Sequence, residues 1–240
     1  MKGTKGFLLF LAMASSTATL FAQTADDIIA KHIAAIGGKE KLSAIKSVRM
    51  ENTMEIMGND APSTTVVLNG KGLRTDAEYN GQKIVQVYTD KGGWAVNPMA
   101  GSADPQALTA DQYKLVKDQI YVIPFLDYAA RGGKAELLGQ EKVGAVNTYK
   151  VKLTTKDSNA TTYYIDPATY YIVQMVKSGE MMNQQMDITT TYSDYKKTDY
   201  GWVVPQTADV SFGGQFSITS KMNKVDVNTP VDAAIFEMKK

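Results

Sequence analysis

The side chains that most often carry out catalysis are scarce in this sequence. His32 is the single imidazole, and it lies among Ile and Ala residues in a predicted N-terminal helix, where a lone His is usually a packed or surface residue. The chain has no Cys, which excludes thiol nucleophiles, disulfide bonds and zinc sites of the Cys type. A metal site that needs two imidazoles is excluded as well. The sequence therefore predicts no metal and no cofactor.

Motifs for nucleotide binding and for acyl transfer are also missing. Gly70-Lys71-Gly72 begins like a dinucleotide-binding motif, but it lacks the third Gly and leads into a strand where the motif needs a helix. No G-x-S-x-G occurs, and we interpret the triplet Asn159-Ala160-Thr161, which matches a glycosylation acceptor, as a chance occurrence. The carboxylates alternate onto predicted solvent faces, so no acid–base pair can be nominated. We expect a protein that is not an enzyme, although a hydrolase that uses carboxylates alone stays open.

The overall composition is that of an ordinary globular protein. Hydrophobic residues make up 44% of the 240 residues, and 26 Lys and Arg face 25 Asp and Glu, for a net charge of +1. Such a balance provides no basic surface for nucleic acid or for anionic lipid. Nucleic acid is therefore not an expected partner.

The first 22 residues have the pattern of a secretory signal peptide. Lys2 and Lys5 precede a short apolar run over residues 7–14, and small residues lead to a cleavage site near Ala22. The run is too short to span a bilayer permanently, so we do not expect an integral membrane protein. With no linker and no internal repeat, residues 23–240 are expected to form one domain, exported as a soluble protein.

The elements that would position any site are a helix followed mostly by strands. Thr24 is placed to cap a helix that begins with Asp26 and Asp27 and ends at Gly37-Gly38. From residue 48 the hydrophobic period changes to two, with about ten strands expected from the spacing of the turns. The exception is residues 104–131, where Pro105 is predicted to start a helical insertion that carries apolar residues. Strands with one apolar and one polar face predict an antiparallel sheet, and so many of them predict a curved sheet covered by the two helical elements.

Four Met residues lie on the apolar faces of the predicted strands. They are Met50, Met54, Met182 and Met186. Met side chains adapt their shape to varied apolar partners, so these positions suit a binding cavity. The alternative is that they fill an irregular core, because alternation identifies the apolar face without saying whether that face is filled.

Several segments resemble a known family in their order along the chain. The first is the capped helix ending Ile36-Gly37-Gly38, followed by Leu42-Ser43-Ala44-Ile45-Lys46-Ser47-Val48. The middle segments are Tyr149-Lys150-Val151-Lys152-Leu153-Thr154, Tyr164-Ile165-Asp166-Pro167 and Tyr171-Ile172-Val173. The last are Tyr192-Ser193-Asp194-Tyr195, Gly201-Trp202-Val203-Val204-Pro205 and Asn228-Thr229-Pro230 before Phe236. Together they resemble the outer-membrane lipoprotein-sorting family of Gram-negative periplasms, the LolA/LolB-like proteins.

This resemblance implies a fold and a function. The fold is mainly β: an incomplete antiparallel β-barrel covered by the N-terminal helix and the helical insertion. Its apolar cavity would carry lipoprotein acyl chains, or another apolar ligand, between inner- and outer-membrane sorting proteins. The family is expected to latch its lid with an Arg in the cavity. Alternation places Arg49 and Arg74 on polar faces and Arg131 at the end of the insertion, so no latch residue is assigned.

The predicted cavity combines the apolar strand faces with two residues of the helical lid. It comprises Met50, Met54, Ile56, Leu68, Leu73, Tyr79, Phe125, Leu126, Val151, Leu153, Met182, Met186, Ile188, Phe212 and Phe216. Burial of CH₂ groups alone can hold a lipid in such a cavity. The main alternative is a sensor or protein-interaction module of the envelope that uses the same fold without a lipid.

Overall fold

A computed structural model describes residues 23–181 and 184–238 of the chain. The helices are α1 (Ala25–Ala35), α2 (Lys39–Ser43) and α3 (Ala110–Val116), with 3₁₀ turns at Pro98–Ala100, Lys117–Ile120 and Ala233–Phe236. The first six strands are β1 (Ser47–Ile56), β2 (Asn59–Leu68), β3 (Gly72–Tyr79), β4 (Gln82–Thr89), β5 (Gly93–Asn97) and β6 (Ser102–Ala107). The others are β7 (Lys134–Val143), β8 (Val146–Thr154), β9 (Ala160–Ile165), β10 (Ile172–Met181), β11 (Gln184–Lys197), β12 (Val203–Phe212) and β13 (Phe216–Val227). The predicted signal peptide and Met182 lie outside the described residues.

The strands form one antiparallel sheet of 13 strands. Their order is β6-β5-β4-β3-β2-β1-β13-β12-β11-β10-β9-β8-β7, so β6 and β7 are the edges and the sheet is not closed into a barrel. Apart from the pairing of β1 with β13, every pairing in the sheet joins two strands that are consecutive in sequence. The expected mainly β fold with a curved, incomplete barrel is confirmed, although the sheet has more strands than the turn spacing predicted.

Helix α1 begins and ends where the sequence indicates. Thr24 and Asp27 form a capping box, in which the Asp27 backbone N–H donates to Thr24 Oγ1 at 3.2 Å and the Thr24 N–H donates to the Asp27 carboxylate at 3.0 Å. Ile28 and Ile29 are buried against the sheet, and positive φ angles at Gly37 and Gly38 turn the chain toward α2. The helix therefore covers one face of the sheet, which we call the inner face.

The segment predicted as a helical insertion is only partly helical. Pro105 lies within the edge strand β6 and does not start a helix. A proline is tolerated there because an edge strand leaves some backbone N–H groups without a ladder partner. The helix begins later, at Ala110, where Thr109 and Gln112 form a second capping box. The 3₁₀ turn Lys117–Ile120 follows, and no further helix occurs before β7.

Both faces of the sheet carry buried apolar side chains. The inner face contains the main core, where α1 and the segment 123–126 pack on strands β1, β8, β9 and β12. A smaller inner cluster joins Ile120 to Val67, Leu73 and Tyr88. On the opposite, outer face, Phe236 of the last 3₁₀ turn packs on Val85 and Val87.

Gly72 belongs to this outer contact. A Cβ atom at Gly72 would lie 2.9 Å from Phe236 Cγ, so a side chain at this position would push the C-terminal turn off the sheet. The Gly70-Lys71-Gly72 sequence thus has a packing role at residue 72. Leu68 packs in the same outer cluster, which corrects its prediction as a residue of the inner cavity.

Candidate functional site

One half of the inner face is filled by the protein's own side chains. Phe125, from the segment after α3, is 1% exposed and packs at 4.6 Å on the Tyr163 ring (centroid to centroid). Val151 and Leu153 of β8 and Leu126 are buried in the same core. Five predicted cavity residues therefore lie in packed clusters, namely Leu73, Phe125, Leu126, Val151 and Leu153.

The other half of the inner face carries apolar side chains that remain partly exposed. Cross-strand register places Ile188 opposite Phe212 and Phe212 opposite Phe216, and the two Phe rings stack at a centroid distance of 4.4 Å. Phe216 is 42% exposed. Ile56 lies opposite Ile218, and Met54 opposite Ser220, on the same face. We call this surface the apolar strip; it comprises Met54, Ile56, Met186, Ile188, Val210, Phe212, Phe216 and Ile218.

The strip continues the packed half of the inner face. Met50 of β1 contacts both inner clusters, and Asn52, Met54 and Ile56 follow it at the two-residue spacing of one strand face. Among the described residues, no member of the strip belongs to a cluster of buried side chains. Tyr79 and Ala61 are buried beside Met54 on the neighbouring strands. The inner face thus changes along its strands from a filled core to an apolar surface.

Three hydrogen bonds attach α3 to β4 at one side and to the β8–β9 loop and β10 at the other. At one side, the Tyr113 hydroxyl donates to the Thr89 carbonyl oxygen at 2.6 Å. At the other, Asn159 Nδ2 donates to the Lys114 carbonyl oxygen at 2.6 Å, and Lys177 Nζ donates to the Leu115 carbonyl oxygen. The Lys114 and Leu115 carbonyls belong to the last turn of the helix, so together with the Tyr113 contact they fix α3 over the inner face next to Lys177, which lies opposite Ile188 of the strip.

The three Arg residues do not latch the helix in this way. Arg49 is exposed and pairs with Glu51, and Arg74 on the outer face binds Asp76 through two hydrogen bonds of 2.6 and 2.8 Å. Arg131 donates to the Leu126 and Pro124 carbonyl oxygens, and its guanidinium lies 4.1 Å from the Tyr121 ring centroid. Arg131 therefore shapes the segment after α3. Sequence reasoning missed Lys177 and Asn159, the residues that bind the helix.

The pKa values of Lys177 and Tyr192 on the inner face are shifted because burial disfavours the charged form of each side chain. Burial lowers the pKa of Lys177, and the nearby Asp118 carboxylate opposes that shift. Burial raises the pKa of Tyr192 to about 12, and its hydroxyl donates to Met175 Sδ at 3.4 Å. At both residues, burial on the inner face disfavours the charged form.

His32 is a core residue of α1. Its Nδ1 lies 2.7 Å from the Tyr170 carbonyl oxygen, and because a carbonyl only accepts, the neutral ring carries its proton on Nδ1. The ring meets Phe125 edge-on at a centroid distance of 5.6 Å. Burial lowers the pKa of His32 below 6.5. The expectation that this His is a packed residue agrees with its position.

We expect His32 to make the protein less stable at acidic pH. The unfolded chain binds the proton near pH 6.5 and the folded chain only at lower pH, so the free energy of unfolding falls as the pH drops through that interval. The slope for one proton is at most about 1.4 kcal/mol per pH unit. Urea unfolding at a series of pH values should show this loss in the wild type but not in His32→Asn, which keeps a donor for Tyr170. Equal pH dependence in the two proteins would contradict this assignment.

A concavity lies on the outer face. It has a volume of about 410 Å³ and is lined by Arg74, Lys83, Val85, Trp94, Val96, Pro98, Ala103, Pro105 and Glu237. Arg74 is committed to Asp76 and to the Ile235 carbonyl oxygen, and Trp94 Nε1 donates to the Phe236 carbonyl oxygen at 2.9 Å. These contacts stabilise the C-terminal turn, so the polar groups of this cleft serve the fold.

The part of the chain that the structure describes contains no group of three or more Asp, Glu or His side chains positioned to hold a metal ion. Within the same residues, no helix is long and apolar enough to cross a bilayer.

The architecture is similar to that of three solved structures. The first is a domain assigned to the outer membrane lipoprotein-sorting proteins from Vibrio parahaemolyticus, with a TM-score of 0.57 over 88% of this chain and 94% of that one. The second is a DUF1329 family protein from Desulfovibrio piger, with a TM-score of 0.58 over 89% of this chain and 97% of that one. The third is a LolA superfamily protein from Nitrosomonas europaea, with a TM-score of 0.60 over 90% of this chain and 98% of that one. Each is 11% identical in sequence to this chain. No family model and no curated protein matches the sequence. The chain therefore has a LolA-like fold, as the resemblance implied.

Proposed function

We propose that this protein is an exported carrier that holds acyl chains, of a lipoprotein or of another lipid, against the apolar strip of its inner face. The observation that carries the proposal is the strip itself: a contiguous set of Ile, Met and Phe side chains beside α3 that stays partly exposed although the rest of the inner face is filled. Contiguous apolar surfaces of this kind mark binding sites in monomeric proteins.

The chemistry of the strip suits an acyl chain. The described side chains of the strip are aliphatic, aromatic or thioether groups, and none offers a strong hydrogen bond. Each CH₂ group of a ligand that leaves water contributes about 0.8 kcal/mol, so a chain can bind without any polar contact. Met54 and Met186 can adapt to chains of different shape.

The boundary between filled and unfilled surface determines where a ligand can bind. Phe125, Val151 and Leu153 lie in the packed core, so our proposed site excludes them and retains Met54, Ile56, Met186, Ile188, Phe212 and Phe216. Met50, which contacts both inner clusters, stands at the boundary, and Tyr79 of β3 is buried. Met182 stays a prediction.

The proposed carrier role requires that the protein is exported. Lys2, Lys5 and the apolar run that follows are the basis for proposing that residues 1–22 are removed and that residues 23–240 act as one domain in the periplasm. The LolA-like fold, shared with a domain assigned to outer membrane lipoprotein-sorting proteins, supports this location. We also propose that other envelope proteins deliver and receive the lipid.

The filled half of the inner face favours one alternative, an envelope sensor or interaction module that binds a protein partner. A titration separates the two functions. Delipidated protein is mixed with a dansyl-labelled fatty acid, and the label is then displaced with unlabelled lipid and with a diacylated lipopeptide. A carrier should give one saturable site and complete displacement. Absence of saturable binding would contradict the carrier function and leave the interaction module.

A further inference from the structure

We infer that Lys177 forms an anion-binding position at the head of the apolar strip, so that the preferred ligand is an amphiphile with an anionic headgroup. This inference depends on the proposed carrier function and specifies its ligand class. Three features of the described residues lead to it: the register of Lys177, its hydrogen bonds and the charges around it.

The register places Lys177 at one end of an apolar row that crosses three hairpins. Lys177 lies opposite Ile188, Ile188 opposite Phe212, and Phe212 opposite Phe216. A lysine in such a row is unusual, because a charged group beside apolar surface loses hydration unless a partner replaces it. A ligand whose tail lies along Ile188 and Phe212 would bring its headgroup to this end.

Lys177 has N–H donors that are not used in hydrogen bonds to the described residues. Its ammonium group has three N–H donors and makes one hydrogen bond, to the Leu115 carbonyl oxygen of α3. A carbonyl is a neutral acceptor and leaves the positive charge without a counter-ion. Among the described side chains, Lys177 forms no ion pair.

The surrounding charges leave room for an anion. Asp118 is the carboxylate that acts on Lys177 through space, but its oxygen accepts a hydrogen bond from Asn159 Nδ2 at 3.1 Å. The neighbouring Lys117 is already paired with Asp157. Lys177 is thus a partly buried cation next to the strip whose charge is not paired with a carboxylate among the described residues.

Leu115 and Gly179 complete the position. A Cβ atom at Gly179 would lie 3.2 Å from a Leu115 methyl group, so α3 packs directly on β10 next to Lys177. The headgroup would therefore lie under the end of α3, where water is limited and a charge-assisted hydrogen bond is strong.

The test compares ligands with one tail and different heads. Dodecanoate, dodecyl phosphate and dodecanol compete for the labelled fatty acid at neutral pH, against the wild type, Lys177→Met and Lys177→Arg. In the wild type we expect at least one of the two anions to bind about tenfold more tightly than the alcohol. That preference, taken as the ratio of anion to dodecanol affinity within each protein, should disappear in Lys177→Met and persist in Lys177→Arg. The anion that binds more tightly identifies the head as a carboxylate or a phosphate.

A lysine on the other face of the sheet provides the control. Lys152 of β8 lies opposite Glu136 and Thr162, away from the buried Val151 and Leu153, so Lys152→Met should keep the wild-type preference. If the wild type binds the alcohol as tightly as both anions, the inference is wrong and the carrier function stands. If none of these ligands binds to the wild type, the proposed carrier function itself is wrong. A Lys177→Met protein with normal dodecanol binding is folded, so loss of the preference would then be specific.

Discussion

A double variant with Gln at Ile188 and Phe212 is expected to lose acyl-chain binding while keeping its fold. The two side chains lie opposite one another in the middle of the apolar strip, and both are partly exposed. Each contributes about 1.5–3 kcal/mol when it is fully removed from water, so losing both contacts should weaken binding by at least about a hundredfold. The titration with the dansyl-labelled fatty acid measures this directly.

The same strands provide a matched control on the opposite face. Thr189 lies opposite Ser211, one residue along from the pair above, and both point away from the strip. A variant with Gln at Thr189 and Ser211 introduces the same side chains into the same two strands. It should bind like the wild type. Equal loss of binding in both double variants would mean that the sheet, and not the strip, had been damaged.

Replacing Phe125 by Ala is expected to cause the largest loss of stability. The Phe125 side chain is 1% exposed and joins α1 to the sheet through contacts with the rings of His32 and Tyr163. Truncating a buried Phe leaves a cavity and typically costs about 3–5 kcal/mol. Urea unfolding followed by circular dichroism gives the free energy of unfolding for wild type and variant.

Phe216 provides the comparison for that measurement. It is 42% exposed and stacks only on Phe212, so Phe216→Ala should reduce the free energy of unfolding by less than about 1 kcal/mol. Similar losses for the two variants would show that the inner face is not divided into a filled and an unfilled half. That result would remove the basis of the proposed site.

The alternation of residue types along the strands predicted most of the inner face correctly. Leu73, Ala77 and Tyr79 are buried and share one face, opposite Arg74 and Glu78, as the period of two requires. The prediction held because β1 and β3 pair with β2 without a bulge, so no residue changed faces there. The chain reversal at Asn80-Gly81 was also predictable, since both residues adopt the positive φ that this pair favours.

The outer face shows where that reasoning fails. Val66, Val67 and Leu68 form an apolar run, so alternation cannot say which of them faces the core. Leu68 faces outward because Phe236, more than 150 residues later in the chain, covers it there. A contact between such distant segments leaves no local periodic signal. Pro105 was placed in a helix because a proline also suits the first turn of a helix, and only the pairing of β6 with β5 shows that it belongs to an edge strand.

Lys177 was missed for a different reason. Lys177 and Met175 are two residues apart on β10 and therefore lie on the same face, so the position of Lys177 on the inner face could be predicted from the sequence. The family resemblance implies an Arg as the latch, so it gives no reason to expect a lysine on an apolar face. Whether the inner face is filled depends on how α3 and the following turns pack on it. The residue pattern of a single strand carries no information on that packing.

The most direct test of the carrier function is the dependence of affinity on acyl-chain length. Octanol, decanol and dodecanol share a neutral head, so their competition with the labelled fatty acid isolates the contribution of the tail. If the tail lies along the apolar strip, each added CH₂ group should tighten binding about fourfold, which corresponds to about 0.8 kcal/mol. An affinity that does not change with chain length, or no binding of any of the three, would contradict an acyl-chain site on the inner face.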